Sequence, residues 1–222
     1  MTFFPSDQAI VSVVLAGFAL SATPGPSMLY VLSRTVGQSR AAGLASAVGL
    51  CLGGIILAIA TALGLATVFA TFDWIVVVLR YLGSAYLVWL GIGIIRDARS
   101  RSEAALVAAK VPDKPLPAIV WQGVLVELMN PKTVLFFALF LPPFVALGQG
   151  TVTGVDLTLQ LLLLGILVPL TAVPSDIVVA LLGARLSRQL NESQSARLVL
   201  AWIGGIMLIG IAVSLHWEAL FA

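Results

Sequence analysis

Residues 9–32 read AIVSVVLAGFALSATPGPSMLYVL, an apolar stretch that is interrupted near its middle by Thr23-Pro24-Gly25-Pro26. The stretch is long enough to cross a bilayer, because a transmembrane helix needs about 20 predominantly apolar residues. Proline removes a backbone N–H and blocks the carbonyl group four residues earlier, so the motif predicts a helix that breaks inside the membrane. Unpaired backbone groups at that depth are tolerated only where protein or a wet cavity satisfies them. The motif therefore predicts a polar cavity within a membrane protein.

The composition of the whole chain agrees with this prediction. The 222 residues are 60% hydrophobic and 10% charged, and the mean hydropathy is +1.09. Soluble proteins carry about 25% charged residues, so this chain has too few polar side chains to cover a surface that faces water. Composition excludes a cytosolic enzyme, a nucleic-acid-binding protein and a disordered chain.

Six apolar stretches predict an all-α membrane protein with six transmembrane helices. The predicted spans are 9–32, 43–70, 75–95, 118–146, 156–183 and 199–217. Ten Lys and Arg residues lie in the loops after the first, third and fifth spans, and none lies in the other loops or in the termini. Because basic loops face the cytoplasm, the N- and C-termini are both predicted to lie outside.

The spans divide into two halves of three. Residues 1–95 are predicted to form the first three-helix repeat, residues 96–117 a cytoplasmic linker, and residues 118–222 the second repeat. Since three is odd, the two repeats must be inverted relative to each other. The first helix of each half is interrupted, at Thr23-Pro24-Gly25-Pro26 and at Asn130-Pro131-Lys132. Interrupted helices at corresponding positions of two halves indicate the binding site of a transporter.

Beyond each break a new half-helix is expected to begin with its amino end towards the membrane midplane. Proline suits the first helical position, and Thr23 and Asn130 are suited to cap the two half-helices. A helix amino end carries about half a positive charge, and Lys132 adds a full one. The centre is therefore predicted to bind an anionic group such as a carboxylate.

Ionisable side chains inside the predicted spans are the other candidates, because a charge at the bilayer centre costs about 2.5–3.5 kcal/mol on insertion scales. They are Arg80, Glu127, Lys132 and Asp176. Arg80 lies near the outer start of its span and can extend to the interface. Asp176 lies in a second predicted break, at residues 169–176, and could bind a substrate ammonium, carry a proton or pair with Lys132. Glu127 is either a further cavity carboxylate or the partner of Lys132.

Taken together, the motifs resemble those of the LysE/RhtB superfamily of bacterial amino-acid exporters. They follow one another along nearly the whole chain as Thr23-Pro24-Gly25-Pro26, Arg40-Ala-Ala-Gly43, Leu82-Gly83-Ser-Ala-Tyr86-Leu87-Val-Trp-Leu-Gly91, Asn130-Pro131-Lys132, Pro142-Pro143-Phe144 and Asp176. The resemblance implies a secondary exporter of small amino acids in the bacterial cytoplasmic (inner) membrane, driven by the proton motive force. Relatives often carry asparagine where this chain has Glu127.

We therefore predict alternating-access export of a zwitterionic amino acid, with a neutral substrate expected and with protons as the coupling ion. The predicted substrate-binding residues are Thr23, Pro24, Gly25, Pro26, Glu127, Asn130, Pro131, Lys132 and Asp176. No cofactor, metal or nucleic-acid partner is expected. The expected partners are the amino acid, protons and the lipid bilayer, and a homo-oligomer is compatible with the sequence.

Two other functions are less compatible with the sequence than amino-acid export. Export of an inorganic cation would need more oxygen, sulfur or imidazole ligands than the spans contain. An intramembrane enzyme would need a buried nucleophile with a base, and the single histidine, His216, lies at the outer end of the last predicted span. The single cysteine, Cys51, is expected to serve in packing.

Overall fold

A computed structural model describes residues 4–22, 25–71, 74–97, 112–145, 154–192 and 194–214. Every regular element in these ranges is helical, in agreement with the predicted fold class. In chain order they are α1 (Asp7–Ala22), α2 (Pro26–Gly37), α3 (Arg40–Thr71), α4 (Trp74–Asp97), α5 (Leu116–Leu128), α6 (Pro131–Leu135), a π-helical turn (Phe136–Phe140), α7 (Pro142–Val145), α8 (Gly154–Glu192) and α9 (Gln194–Ser214). Thr23, Pro24 and His216 lie outside the described residues, as does the side chain of Arg80.

Two of the predicted spans are bent pairs of helices, as the proline motifs predict. The axes of α1 and α2 differ by 51°, and those of α5 and the run from Pro131 to Val145 differ by 50°. Helix α2 begins at Pro26 after an extended Gly25, and α6 begins at Pro131 after an extended Asn130. Proline is well accommodated at a first helical position, because the N–H that it lacks would have no partner within the helix there.

The second predicted break, at residues 169–176, is wrong. Helix α8 is continuous from Gly154 to Glu192 and contains Pro169 and Pro174 in its interior. A proline within a helix removes one hydrogen bond, and the helix can continue beyond it with a kink. Each of these prolines follows a valine, and valine has no polar side-chain atom that could cap a new helix.

Apolar side chains cover the outer face of the helices. On α3, exposed residues recur every three or four positions, at Val48, Leu52, Ile56, Ile59 and Leu63. This stripe extends about 22 Å along the helix axis at 1.5 Å per residue. A helix that exposes such a stripe is suited to lipid, so the chain is a helical membrane protein.

The number of spans stays a prediction. Within the described ranges, two helices are each long and apolar enough to cross a membrane, and they are Arg40–Gly64 and Val155–Gly183. If each bent pair counts as one span, the number rises to four.

The helices of the two predicted halves pack against each other in matching pairs. Helix α3 packs on α8, and α4 packs on α9. Helix α3 also packs on α5, which starts the second bent pair, and α8 packs on α1 and α2, which form the first. Glycines allow the closest of these contacts: a Cβ atom at Gly49 of α3 would collide with the backbone of Val120 on α5. A Cβ atom at Gly53 of α3 would likewise lie 2.9 Å from the carbonyl oxygen of Val124 on α5.

The buried apolar residues of the described ranges form three clusters. The largest cluster joins α1, α3, α4, α8 and α9 to the phenylalanine side chains of the π-helical turn. A smaller cluster contains Met28, Val31, Leu32, Leu50, Val179 and Ala180, and a third contains Ala42, Ala45 and Ile119. Members of both the largest cluster and the second one line a common cavity, namely Leu20, Phe137 and Val168 from the first and Met28 and Leu50 from the second.

Candidate functional site

A cavity at the two helix breaks collects polar side chains from both predicted halves. Its volume is about 60 Å³, several times the roughly 10–15 Å³ that one water molecule requires. Five of the nine predicted site residues line it, namely Gly25, Glu127, Asn130, Lys132 and Asp176. Pro26 and Pro131 start the two half-helices beside it without lining it, and Thr23 and Pro24 lie outside the described residues.

The amino end of α2 faces the cavity without a side-chain cap. Gly25, Ser27 and Met28 line the cavity. The N-cap residue of α2 is Gly25 and not the predicted Thr23, and Gly25 has no side chain that could accept a hydrogen bond. The carbonyl oxygen of Gly25 accepts the first helical bond, from the N–H of Leu29 at 2.9 Å. Because the first N–H groups of a helix have no partners within it, this end can bind an anion.

The amino end of α6 is capped, as the sequence predicts. The Asn130 Oδ1 atom accepts a hydrogen bond from the backbone N–H of Lys132 at 3.1 Å. Asn130 is 3% exposed, so the cap is largely shielded from water. The two breaks therefore differ: α6 already has a side-chain acceptor at its amino end, whereas α2 has none.

Lys132 connects the second break to the first. Its Nζ atom donates a hydrogen bond to the carbonyl oxygen of Leu20 at 2.7 Å, in the last turn of α1. Its own carbonyl oxygen accepts a hydrogen bond from the hydroxyl group of Tyr86 at 2.8 Å. Lys132 therefore caps a carbonyl group at the end of α1. Its charge also interacts with that of Glu127.

Glu127 is held by a serine that sequence reasoning missed. The hydroxyl group of Ser27 donates to Glu127 Oε2 at 2.5 Å, and Asn130 Nδ2 donates to Ser27 Oγ at 2.8 Å. Ser27 follows Pro26 as Lys132 follows Pro131. A comparison of the two break motifs position by position would have indicated this residue.

Asp176 reaches the same cavity from the continuous helix α8. Its side chain is 7% exposed, and it lines the cavity together with Glu127. The neighbouring Ser175 donates a hydrogen bond to the carbonyl oxygen of Ser21 at 3.4 Å, at the end of α1. The prediction that residues 169–176 break is wrong, yet Asp176 lies in the cavity because a regular helix turns it towards the first break.

The remaining wall of the cavity is mostly apolar. Its side chains are Leu20, Met28, Leu50, Cys51, Phe137, Val168 and Pro169, with a small surface from Gly17, Gly54 and Ala172 and two hydroxyl groups from Ser21 and Thr133. Cys51, which was expected to serve in packing, is half-buried and lines the cavity instead. Phe137 contributes both to the largest apolar cluster and to the cavity wall.

The sequence of the chain matches a known protein family over most of its length. The family model described as LysE type translocator matches residues 18–218 of the chain. The chain belongs to this family. The resemblance drawn from the motifs is thus confirmed, and a LysE type translocator is a transporter and not an enzyme.

Individual relatives of this LysE type translocator match it over part of their length. A leucine efflux protein of Enterobacter sp. is 29% identical over 141 residues, which are 64% of this chain and 65% of that protein. A leucine efflux protein of Salmonella typhimurium is 33% identical over 122 residues, 55% of this chain and 56% of that protein. An uncharacterised membrane protein of Pseudomonas aeruginosa is 34% identical over 128 residues, 57% of this chain and 59% of that protein. The chain thus covers less than two thirds of the length of these relatives, and no solved structure matches it.

Proposed function

We propose that this LysE type translocator exports a neutral, zwitterionic amino acid from the cytoplasm in exchange for protons. The observation that carries the proposal is one cavity that holds an uncapped helix amino end and Lys132 together with a buried Asp176. Such a cavity offers both signs of charge to one small molecule. The leucine efflux proteins among the relatives support an amino acid as the substrate.

The carboxylate of the substrate would bind at the amino end of α2. The N–H groups there lack a side-chain cap, and the ammonium group of Lys132 lines the same cavity. Hydrogen bonds from charged or dipole-enhanced donors to an anion are stronger than those between neutral groups. A carboxylate that binds there would also compete with the carbonyl oxygen of Leu20 for the Lys132 ammonium group.

The ammonium group of the substrate would pair with Asp176. Buried carboxylates in a membrane are costly and require a partner, and Asp176 faces the cavity with Glu127 nearby. Two acidic groups and one lysine leave the cavity able to accept a cation at its acidic side. Substrate binding would thus place opposite charges against both ends of the zwitterion.

The apolar wall supports a neutral side chain on the substrate. Leu20, Met28, Leu50, Phe137 and Val168 offer aliphatic and aromatic surface. Glu127, the other acidic residue that lines the cavity, already accepts a hydrogen bond from Ser27. A second ammonium or guanidinium group on the substrate would therefore have to lie against the apolar wall, at a cost that apolar burial does not offset. We therefore propose an aliphatic amino acid rather than a dibasic one.

Proton exchange would arise from competition for one carboxyl group. When the cavity is empty, Asp176 would carry a proton on a carboxyl oxygen. When the ammonium group arrives, the O–H bond breaks, the proton passes to water, and the carboxylate pairs with the ammonium. Because the two ligands exclude each other, outward movement of substrate and inward movement of a proton are coupled.

The test is counterflow into proteoliposomes that contain the purified protein and one unlabelled amino acid. We expect uptake of labelled leucine, isoleucine or valine, little uptake of labelled lysine or arginine, and acceleration when a pH gradient is imposed. The substrate should also protect Cys51, the single cysteine of the chain, from N-ethylmaleimide, because Cys51 lines the cavity. Absence of exchange and of protection with every amino acid tested would contradict the proposal. Uptake of a divalent cation instead of an amino acid would favour the alternative function, export of an inorganic cation.

A further inference from the structure

Ser27 is the point at which the two broken helices meet. It is the second residue of α2, and its hydroxyl group contacts both Asn130, the N-cap residue of α6, and Glu127, in the last turn of α5. Its own backbone belongs to the uncapped amino end that faces the cavity. A single hydroxyl group thus joins the first predicted half to both sides of the second break.

The direction of this hydrogen-bond chain is determined by its first member. Asn130 Oδ1 accepts from the backbone N–H of Lys132, so the amide nitrogen of Asn130 faces Ser27 and donates to it. A serine hydroxyl group has one proton to give, and it goes to Glu127 Oε2. The chain therefore runs from the amino end of α6 through Asn130 and Ser27 to the Glu127 carboxyl group, which must accept.

A second contact crosses between the halves in the opposite sense. Lys132 follows Pro131 as Ser27 follows Pro26, and its Nζ atom donates to the last turn of α1. In each half, the second residue of the helix after the break contacts the last turn of the helix before the break in the other half. Ser27 contacts the last turn of α5, and Lys132 contacts the last turn of α1. The two contacts hold the amino ends of α2 and α6 beside each other.

We propose that Ser27 is a positioning residue that fixes the amino end of α2 for the substrate carboxylate. The proposal rests on the proposed function, because it concerns the same cavity. With the hydroxyl group in place, the first N–H groups of α2 and the Lys132 ammonium group face one volume before the substrate arrives. Without it, substrate binding must also order the helix end, and such ordering is a direct cost to affinity.

The test compares Ser27→Val with Ser27→Thr in leucine counterflow. Loss of a hydrogen bond to a charged group is expected to raise the half-saturation concentration for leucine about tenfold in Ser27→Val, with a smaller change in the rate at saturation. Ser27→Thr restores the hydroxyl group at nearly the same side-chain volume and is expected to return the half-saturation concentration towards that of the wild type. Equal values for the valine and threonine variants would overturn the proposal.

Ser33→Val is the matched control on the same helix. Its hydroxyl group donates only along α2, to the carbonyl oxygen of Tyr30 at 2.9 Å among the contacts described, and Ser33 does not line the cavity. We expect leucine counterflow to stay close to that of the wild type. A rise like that of Ser27→Val would show that loss of any α2 hydroxyl group weakens exchange, and it would overturn the specific role. If Ser27→Val does not fold, Ser27→Ala removes the hydroxyl group without adding a methyl group.

A second measurement does not depend on transport. The rate at which N-ethylmaleimide modifies Cys51 in detergent reports how open the cavity is. We expect faster modification in Ser27→Val than in the wild type and a wild-type rate in Ser27→Thr. If the wild type exchanges no amino acid, the proposed function fails. The difference in modification rate would still support the positioning of the α2 amino end by Ser27. Equal modification rates in all three proteins would overturn the positioning role of Ser27, whatever the protein transports.

Discussion

Asp176 is the residue at which the proposed substrate and the proposed coupling ion compete. Asp176→Asn keeps the size of the side chain but removes its negative charge, so the substrate ammonium loses its partner. We expect leucine counterflow to fall at least about tenfold, since a hydrogen-bonded charge contributes about 1.5–3 kcal/mol. We also expect the remaining exchange not to respond to an imposed pH gradient. Initial rates at several leucine concentrations, with and without the gradient, measure both effects.

The control for this prediction is Asp156→Asn. Asp156 lies in the first turn of the same helix, α8, and is not among the residues that line the cavity. The same chemical change there should leave counterflow and its response to the gradient close to those of the wild type. Full exchange by Asp176→Asn would remove Asp176 from the site while leaving the transporter class in place.

The charged members of the site could be predicted from the sequence, and its neutral members could not. Glu127, Lys132 and Asp176 stand out because a charge within an apolar span needs a physical reason. Ser27 and Cys51 carry no such cost, so nothing marks them until helix packing turns them towards the cavity. The identity of the Glu127 partner was open for the same reason, since spacing along one helix cannot show a serine 100 positions away.

At the level of elements, capping explains which prolines break a helix. The breaks at Pro26 and Pro131 were predicted and are confirmed, and in each the preceding residue suits an N-cap. Pro169 and Pro174 follow valine residues, and α8 continues through both. Proline content alone therefore overpredicts helix breaks. A proline that follows Gly or Asn begins a new helix here, whereas a proline that follows Val lies inside a continuous helix. The ends of α3 and α4 also lie within three residues of the ends of the predicted spans 43–70 and 75–95.

The contact between α4 and α9 yields a prediction in which two neighbouring glycines have opposite effects. A Cβ atom at Gly91 would lie 2.7 Å from the carbonyl oxygen of Gly205, whereas one at Gly93 would meet nothing within 4 Å. We expect Gly91→Ala to lower the Tm in detergent, since overpacking a close contact costs about 1–3 kcal/mol. Gly93→Ala should leave the Tm unchanged or raise it, because alanine favours a helix over glycine by about 0.5–1 kcal/mol. An equal Tm for the two variants would contradict this packing of α4 on α9.

On the scale of the whole molecule, the contacts are those that two inverted halves would make. Helix α3 packs on α8, each of these long helices packs on the bent pair of the other half, and α4 packs on α9. The bend angles of 51° and 50° are nearly equal. These observations support the predicted division into residues 1–95 and 118–222, which stays a proposal. Rocking of one half against the other about the shared cavity would then give alternating access.

The predicted linker is attached to the first half at its described end. Arg34, in the last turn of α2, is 5% exposed and donates to the carbonyl oxygen of Pro112 at 3.1 Å and to Gln122 Oε1 at 2.8 Å. Gln38 Nε2 donates to the carbonyl oxygen of Lys114 at 2.8 Å. The sequence suggested a basic loop here, but α2 continues to Gly37, so Arg34 binds within the protein and its charge is not part of a solvated loop. These hydrogen bonds of Arg34 and Gln38 therefore have to rearrange if the two halves move.

Orientation in the membrane is the prediction that tests the six-span count. Ten Lys and Arg residues fall in three of the predicted loops and none in the other loops and termini, and an excess of this kind directs loops to the cytoplasm. Green fluorescent protein fused after Ala222 should therefore be dark and alkaline phosphatase fused there should be active, whereas fusions within residues 98–111 should show the reverse. A count of five spans with the N-terminus outside would place the C-terminus in the cytoplasm and make the first fusion fluorescent. Because the inverted repeat requires three spans in each half, a fluorescent C-terminal fusion would also remove the symmetry on which alternating access at this cavity depends.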